Sequence, residues 1–563
     1  MLSERSGPPG LHGLRWQVVV AGVGALILLG FLLQSAAAYE TVLVPAAGGT
    51  LVEAMVGGPR YINPLLAAFN RVDADISALV FSGLTRLDGC GNVLPDLAES
   101  WEISADGLSY TFHLRPDAAW QDGVPLLSRD VLFTIGLIQS PDFPGPEPLR
   151  RFWRDVRAEL LDDHTIRFVL PAPYAPFLAH TTLGILPEHL LKGVSAAGLT
   201  ELEFNRLPIG SGPYKVIESD VAHVVLSRNE LYYGEKPLLE EVEFRFFRDY
   251  GEALRALELG QVMSLAQVPA ELLPRAAGLE GVNLYSAPLS RLVLVLLNLQ
   301  NQNAPFLSEQ PVRQALLYGL DREALVLRVL EGRGLVAHAP YASCSWALNP
   351  KGATYAYDLP RAKDLLEAAG WVDQDGDGTR ERDGTRLQLN LFVIDDRSLE
   401  AVAREIARQW LALGVQTTVV PLPFTELVGQ ALEQHRFDAA LIEVALGGDP
   451  DPYVLWHSSQ VDEGQNYGSF VDREADALLQ QARQQWSQAE RQAMYYRFQE
   501  IFAAQLPALP LYYPVYTYAV SKGVRGVELG PLIEPGDRFR YLAKWYVNFR
   551  RLRVRQPQTE LGE

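Results

Sequence analysis

The segment from Leu387 to Val444 alternates strand-like and helix-like patterns, and this constrains the fold more than anything else in the chain. An apolar run over Leu387–Ile394 precedes a helical stretch over Ser398–Leu413 closed by Gly414. Strand Val415–Val420, helix Thr425–Gln434 and strand Phe437–Val444 then follow in order. A β-α-β-α-β succession needs a parallel or mixed sheet covered by helices, because each crossover helix must lie on a sheet face. Ligands of such sheets gather beyond the carboxyl ends of the strands. Beyond the last strand stands Gly447-Gly448-Asp449-Pro450-Asp451-Pro452-Tyr453-Val454-Leu455-Trp456-His457-Ser458-Ser459-Gln460. Its glycines let the backbone leave the strand in unusual conformations, and each Asp-Pro step holds its Asp extended. A stiff segment therefore presents Asp449, Asp451, Tyr453 and Trp456 as candidate ligand-binding residues.

A chain of 563 residues exceeds what one core can organise, so two or three subdomains are expected. The net charge of -19 argues against a nucleic-acid partner, which would need a basic footprint, and favours small solutes or proteins. The basic run Arg550, Arg551, Arg553 and Arg555 reads as a solvated tail. At the other end Arg5 and Arg15 precede an uncharged apolar run, Val18–Leu33, and the small residues Ser35-Ala36-Ala37-Ala38. Residues 1–38 thus read as a signal peptide or an N-terminal membrane anchor, with cleavage after Ala38 in the first case, and the remainder as extracytoplasmic. No cysteine follows the run, which excludes a lipid-modified N-terminal cysteine. The only cysteines, Cys90 and Cys344, lie 254 positions apart and fall in different lobes. They are expected as two buried or partly buried thiols, bonded only if folding brings their Cα atoms together.

Before the α/β segment, Asp106-Gly107 joins strands Trp101–Ser104 and Leu108–Leu114. Asp162-Asp163-His164 joins Arg157–Leu161 and Thr165–Leu170, and Ser128 reads as the N-cap of a helix between these hairpins. This is a small mixed α/β subdomain, about residues 91–205. The turn Gly210-Ser211-Gly212-Pro213 lacks the Lys-Ser/Thr pair and helix of a phosphate loop. Asp321, Asp358 and Asp472 read as helix N-caps, and Ser487 with Glu490 as a capping box.

Nucleophile elbows, metalloprotease helices and dinucleotide fingerprints do not occur, and the nine histidines show no ligand spacing, so no enzyme is expected. Asp373, Asp375 and Asp377, with Gly378 sixth, match the start of a calcium loop. Its twelfth position is Gly384 instead of a bidentate Glu. A structural Ca²⁺ is a candidate there; no other cofactor is required.

The set Ile62-Asn63-Pro64-Leu65, Phe81-Ser82-Gly83-Leu84, Pro95-Asp96-Leu97-Ala98-Glu99-Ser100-Trp101, Asp122-Gly123 and Gly210-Ser211-Gly212-Pro213-Tyr214 continues with Val312-Arg313-Gln314-Ala315, Ser345-Trp346 and Ala362-Lys363-Asp364-Leu365-Leu366. The Asp449 loop, Asn466-Tyr467 and Leu509-Pro510-Leu511-Tyr512 complete it. In this order and spacing the set resembles the bacterial extracellular solute-binding proteins of family 5, the peptide-type binding proteins of ABC importers. The resemblance implies an α/β, two-lobed, hinged periplasmic-binding-protein fold of type II with an extra small subdomain in lobe 1. Lobe 1 would be 39–298, lobe 2 299–508, the return to lobe 1 509–553 and the tail 554–563. It implies a monomer that captures an oligopeptide or similar small solute and delivers it to permease subunits with cytoplasmic ATPases. In the peptide binders an Asp of the corresponding loop meets the ligand α-amine. Here the familiar place, three residues before Asp451, is Gly448, so Asp449 is the substitute candidate. Trp346, Asn466, Tyr467 and Tyr61 complete the expected pocket. Alternative roles are a membrane-tethered sensor or chaperone on the same fold; alternative ligands are a sugar, an opine or a metal chelate.

Overall fold

The computed structural model describes residues 12–37 and 39–555. Helix α1 (His12–Ala37) leads into β1 (Tyr39–Ala46), and the proposed cleavage point after Ala38 lies outside the described residues. No helix among the described residues is long and apolar enough to cross a membrane.

From β2 (Thr50–Val56) the chain builds a first lobe. Helix α2 (Arg71–Val80) follows, with Asn70 capping it by accepting from Val72 N–H. The small subdomain is a four-stranded antiparallel sheet made of the two hairpins foreseen at Asp106-Gly107 and Asp163-His164. Between them the helix Ser128–Gln139 is capped differently from expectation. Leu127 is its N-cap residue, and Asp130, already inside the helix, accepts from Leu127 N–H, while the Ser128 hydroxyl donates to Asp162 O.

β3 (Val282–Pro288) and β4 (Arg291–Leu297) carry the chain across to the second lobe. There β5 (Gln388–Ile394), α3 (Arg397–Leu411), β6 (Gln416–Leu422) and β7 (Ala439–Ala445) realise the expected alternation, β5 lying parallel to both β6 and β7. The expected helix 425–434 is instead one short α-turn, Phe424–Glu426, running into a π-helical turn, Leu427–Leu432. Helices α4 (Arg473–Gln484) and α5 (Gln488–Gln505) are capped by Asp472 and Ser487 as the sequence indicated. The 14-residue strand β8 (Ala508–Ser521) then returns, and β9 (Asn548–Arg555) pairs with β1.

A single twelve-stranded sheet runs through both lobes because β8 belongs to both halves: Ala508–Tyr512 pairs with β4 and Val515–Ser521 with β3. The hydrophobic cores divide at the same place. Core residues 51–287 and 516–545 pack together in the first lobe, and core residues 292–513 in the second. Leu292–Leu297, read from the sequence as the end of lobe 1, pairs with β7 and belongs to the second core. The chain crosses between lobes at 288–291 and 513–515.

Cys90 and Cys344 are joined in a disulfide, with Cα atoms 5.1 Å apart, which corrects the expectation of free thiols. Sequence separation gave no sign of it because the apposition is made by the lobes, not by neighbouring elements.

The returning segment is fastened to the first lobe by a fully buried cation. Arg538 Nε donates to Glu53 Oε1 at 3.0 Å and Nη1 to Asp75 Oδ2 at 2.6 Å, while Ser264 and Tyr518 hydroxyls donate to Glu53 Oε2. Arg538→Met removes the only guanidinium of this cluster and leaves two buried carboxylates uncompensated. Chemical denaturation is expected to show a loss of about 3–5 kcal/mol for the first lobe.

Candidate functional site

Strand β7 ends at Ala445, and the loop of glycines and prolines begins where open α/β sheets bind ligands. The crossing segment holds it in place. Ser290 accepts from Leu446 N–H at 2.9 Å, its hydroxyl donates to Gly447 O at 3.1 Å, and its N–H donates to Leu532 O at 2.7 Å. One residue at the crossing thus ties the loop of the second lobe to the returning segment of the first. Gly447 adopts φ +65°, a conformation costly for other residues.

Gly448 faces the first lobe directly. A Cβ there would lie 2.1 Å from Leu87 Cδ1, and one on Gly91 would lie 2.3 Å from Gly448 O. Glycine at 448 is what lets the lobes meet here, since any side chain at that position would collide with Leu87.

Asp449 is held by the protein itself. Arg491 donates from Nη2 to Oδ1 at 2.6 Å and from Nη1 to Oδ2 at 2.9 Å, a bidentate pair with both side chains almost fully buried. Burial opposes the charge of Arg491, but Asp449 and the Tyr495 hydroxyl, 3.0 Å away, overcome it and hold the guanidinium well above its ordinary range. Trp346 lies over the same guanidinium at 5.2 Å, a wall of the pair. Asp451 accepts from Arg483 Nε at 2.7 Å and from Tyr453 N–H at 3.2 Å, yet burial still raises its pKa. Neither carboxylate is free for a ligand amine in this arrangement.

Arg483 is a contact point between the lobes. Its guanidinium sits 4.1 Å from the Tyr453 ring and 5.1 Å from that of Tyr174 in the first lobe, and its carbonyl accepts from Ala175 N–H at 2.7 Å. His457 stacks on Tyr453, with ring centroids 4.2 Å apart.

Two cavities flank the loop. One of about 80 Å³ lies between the lobes, lined by Cys90, Ser290, Tyr341, Gly448 and Asp451 among others. The second, of about 520 Å³, lies in the second lobe against β4 and β7, with Leu294, Leu296, Leu427, Ile442, Trp456 and Tyr467 in its wall and Arg291, Asp396 and Glu443 among its charged residues. Leu455 and Gln465 border both cavities. The larger volume is within the range of small-ligand sites.

The sequence-derived residues therefore separate. Asp451 lines the smaller cavity, and Trp456 and Tyr467 the larger. Asp449, Trp346 and Tyr453 form the charged and aromatic support beside them. Asn466 is turned inward: its side chain donates to His457 O and Phe470 O and accepts from Phe470 N–H, so it knits the loop together. Tyr61, whose N–H donates to Asp73, lines neither cavity. Sequence reasoning missed Arg483, Arg491, Tyr174, Tyr341 and Ser290, because their partners are distant in sequence. Asp373, Asp375 and Asp377 are exposed, with carboxylate oxygens within 4.8 Å of one another. Asp373 accepts from Gly376 and Gly378 N–H, and Arg386 already pairs with Asp377.

His180 of the first lobe stacks on Phe152 at 3.7 Å, and burial lowers its pKa from 6.5 to about 4, with Asp449 opposing and Arg483 assisting the shift. In that interval the unfolded chain holds more protons than the folded one, so stability falls as pH drops from 6.5 toward 4. The denaturation midpoint of the His180→Phe variant is expected to decline less than that of the parent over this range. Asp449→Ala leaves the buried Arg491 unpaired and is expected to cost about 3 kcal/mol or more by chemical denaturation. The double variant Asp449→Ala/Arg491→Leu should recover most of that loss, and a strictly additive loss would contradict the pairing.

Comparison with known proteins agrees with this architecture. Residues 92–466 match the model of the bacterial extracellular solute-binding proteins, family 5, middle region. The oligopeptide-binding protein AppA of Bacillus subtilis is 30% identical over 496 residues, covering 86% of this chain and 90% of the relative. The solved structure of AppA from Bacillus subtilis with a nonapeptide superposes with a TM-score of 0.67 at 29% identity, covering 90% of this chain and 100% of the other. NikZ from Campylobacter jejuni with Ni(L-His) gives a TM-score of 0.68 at 30% identity, over 88% of this chain and 99% of the other. The chain belongs to the bacterial extracellular solute-binding proteins of family 5.

Proposed function

We propose that this protein is the extracytoplasmic capture component of an ABC importer and that its ligand is an oligopeptide or a similar extended small solute. The observation that carries the reading is the apposition of the Gly447–Pro452 loop with the first-lobe loop at Cys90–Gly91, next to a cavity of about 520 Å³ in the second lobe. An extended ligand would lie along the loop, its backbone pairing with protein backbone, and place one bulky apolar side chain among Leu294, Leu296, Ile442 and Trp456. Noncovalent capture is all that this arrangement requires. The oligopeptide-binding relative and the nonapeptide complex support the peptide class. Permease subunits with cytoplasmic ATPases are the partners in this reading, and the protein works as a monomer. A Ca²⁺ ion at Asp373, Asp375 and Asp377 would serve structure on the surface, apart from capture.

Native mass spectrometry of the protein as exported by its host tests the ligand class. A ladder of co-purified masses that fragment as peptides is the expected result, and titration calorimetry should then rank peptides with one large apolar residue above Gly-rich ones. A single chelate or sugar mass would retain the fold and replace the ligand.

A further inference from the structure

Among the described residues two polypeptide segments connect the lobes, 288–291 and 513–515, and both lie in adjacent strands. Two adjacent crossing strands make a hinge, since small backbone rotations in a few residues swing one lobe against the other. The Cys90–Cys344 disulfide adds a third covalent crossing. Cys90 lies in the loop between the first-lobe strands Thr85–Leu87 and Val93–Pro95. Cys344 follows Tyr341, which is buried in the second-lobe core. The bond thus forms across the cleft, and Cys90 lines the small inter-lobe cavity together with Gly448 and Asp451. The structure around it is closed: Gly448 meets Leu87, Arg483 meets Tyr174 and Ala175, and Gln488 Nε2 donates to Asn92 Oδ1 at 3.2 Å. Cys90 lines the same small cavity as the crossing residue Ser290, and an opening rotation whose axis does not pass through the bond must draw Cys90 away from Cys344, whose Cα atoms are 5.1 Å apart. Bridged cysteines cannot draw apart beyond roughly 7 Å without moving the backbone.

We propose that this disulfide is a redox-dependent lock on lobe closure. While it is formed the cleft stays shut, and ligand neither enters nor leaves at the rate the hinge alone would permit. Once it is reduced the two strands act as an ordinary hinge. The inference concerns regulation of the site described above and rests on the capture reading for its consequence, though not for its mechanics. Both cysteines are half-buried, so a small reductant can approach. The reductant is a dithiol. One of its thiolates attacks a sulfur of the bond, the S–S bond breaks as a mixed disulfide forms and one cysteine is freed, and its second thiol then attacks the mixed disulfide and displaces the cysteine still bound in it. Two electrons and two protons pass to Cys90 and Cys344, and the dithiol leaves as its own disulfide. In an oxidising extracytoplasmic compartment the bond forms unless a dithiol reductant is supplied, so capture in this reading proceeds from the reduced form.

The test uses the exported protein in three forms: as isolated, reduced with dithiothreitol, and as the Cys90→Ser/Cys344→Ser variant. Small-angle scattering without ligand is expected to give one compact profile for the isolated form and a broader, more open ensemble for the other two. Both association and dissociation of a fluorescein-labelled trialanine probe should be slower by about tenfold or more in the isolated form than in the other two. If all three forms scatter alike and release the probe alike, the lock is refuted. Alkylation and mass spectrometry showing free thiols in the exported protein refutes it equally. If scattering responds to reduction while trialanine binds to no form, the lock stands and the peptide reading loses support, so the two failures are separable.

Discussion

The strand Ala508–Ser521 is the element on which the molecule depends, because it lies in the sheet of both lobes at once. Its sequence explains how one strand serves two sheets. Pro510 coincides with a register shift in the pairing with Arg291–Leu297, and proline, lacking an N–H, is tolerated in a sheet at such irregularities. Pro514 sits at the crossing, where its carbonyl accepts from Leu289 N–H but it has no donor to offer in return. At the crossing the ladder passes from β4 to β3, while Gly334–Val336 pairs along Tyr512–Pro514. On either side Leu509 and Leu511 enter one core and Tyr516, Tyr518 and Val520 the other, so each half of the strand is anchored by burial.

Charges buried within each lobe complete this anchoring in a way that apolar packing alone would not. Arg538 can be fully buried only because Glu53 and Asp75 converge on it from β2 and α2, two elements far away in sequence. The cluster thereby specifies where the C-terminal segment docks. Arg491 and Asp449 do the same for the ligand loop, and Arg483 with Asp451 for its second turn. In each case desolvation would be prohibitive without the partner, so the pairing sets geometry more than it adds stability.

How far the sequence reveals such a molecule follows from the range of the interactions involved. The strands and the first helix of the Leu387–Val444 alternation, the Asp-Gly hairpin and the caps at Asp321, Asp358, Asp472 and Ser487 depend on neighbours within a few residues, and they stand in the structure as the pattern indicated. The segment 425–434 carried a helical pattern but turns as a π-helix, since its Leu427, Ala431 and Leu432 are drawn into the second-lobe core. Asn466 looked like a pocket residue because polar side chains near a ligand loop invite that reading; three hydrogen bonds to the loop backbone consume it. The Cys90–Cys344 bond and both Arg-Asp pairs depend on elements brought together only by tertiary structure, and no local pattern encodes them.

The satisfied state of Asp449 and Asp451 has a bearing on how recognition is divided. A carboxylate already held by a bidentate guanidinium offers a ligand amine only what the existing partner relinquishes, and relinquishing it would strand a buried Arg491. In the capture reading proposed above, recognition by this loop would fall mainly on groups with capacity to spare, which are its backbone and the apolar walls of the neighbouring cavity. Such a site would select for length and extended conformation through the backbone and for bulk through the cavity, with variety tolerated in the remaining side chains. Glycine at 448 belongs to the same logic. Without a side chain there, closure brings the backbones of the two lobes into contact at Gly91, and the loop can act through its peptide groups instead of through a charge.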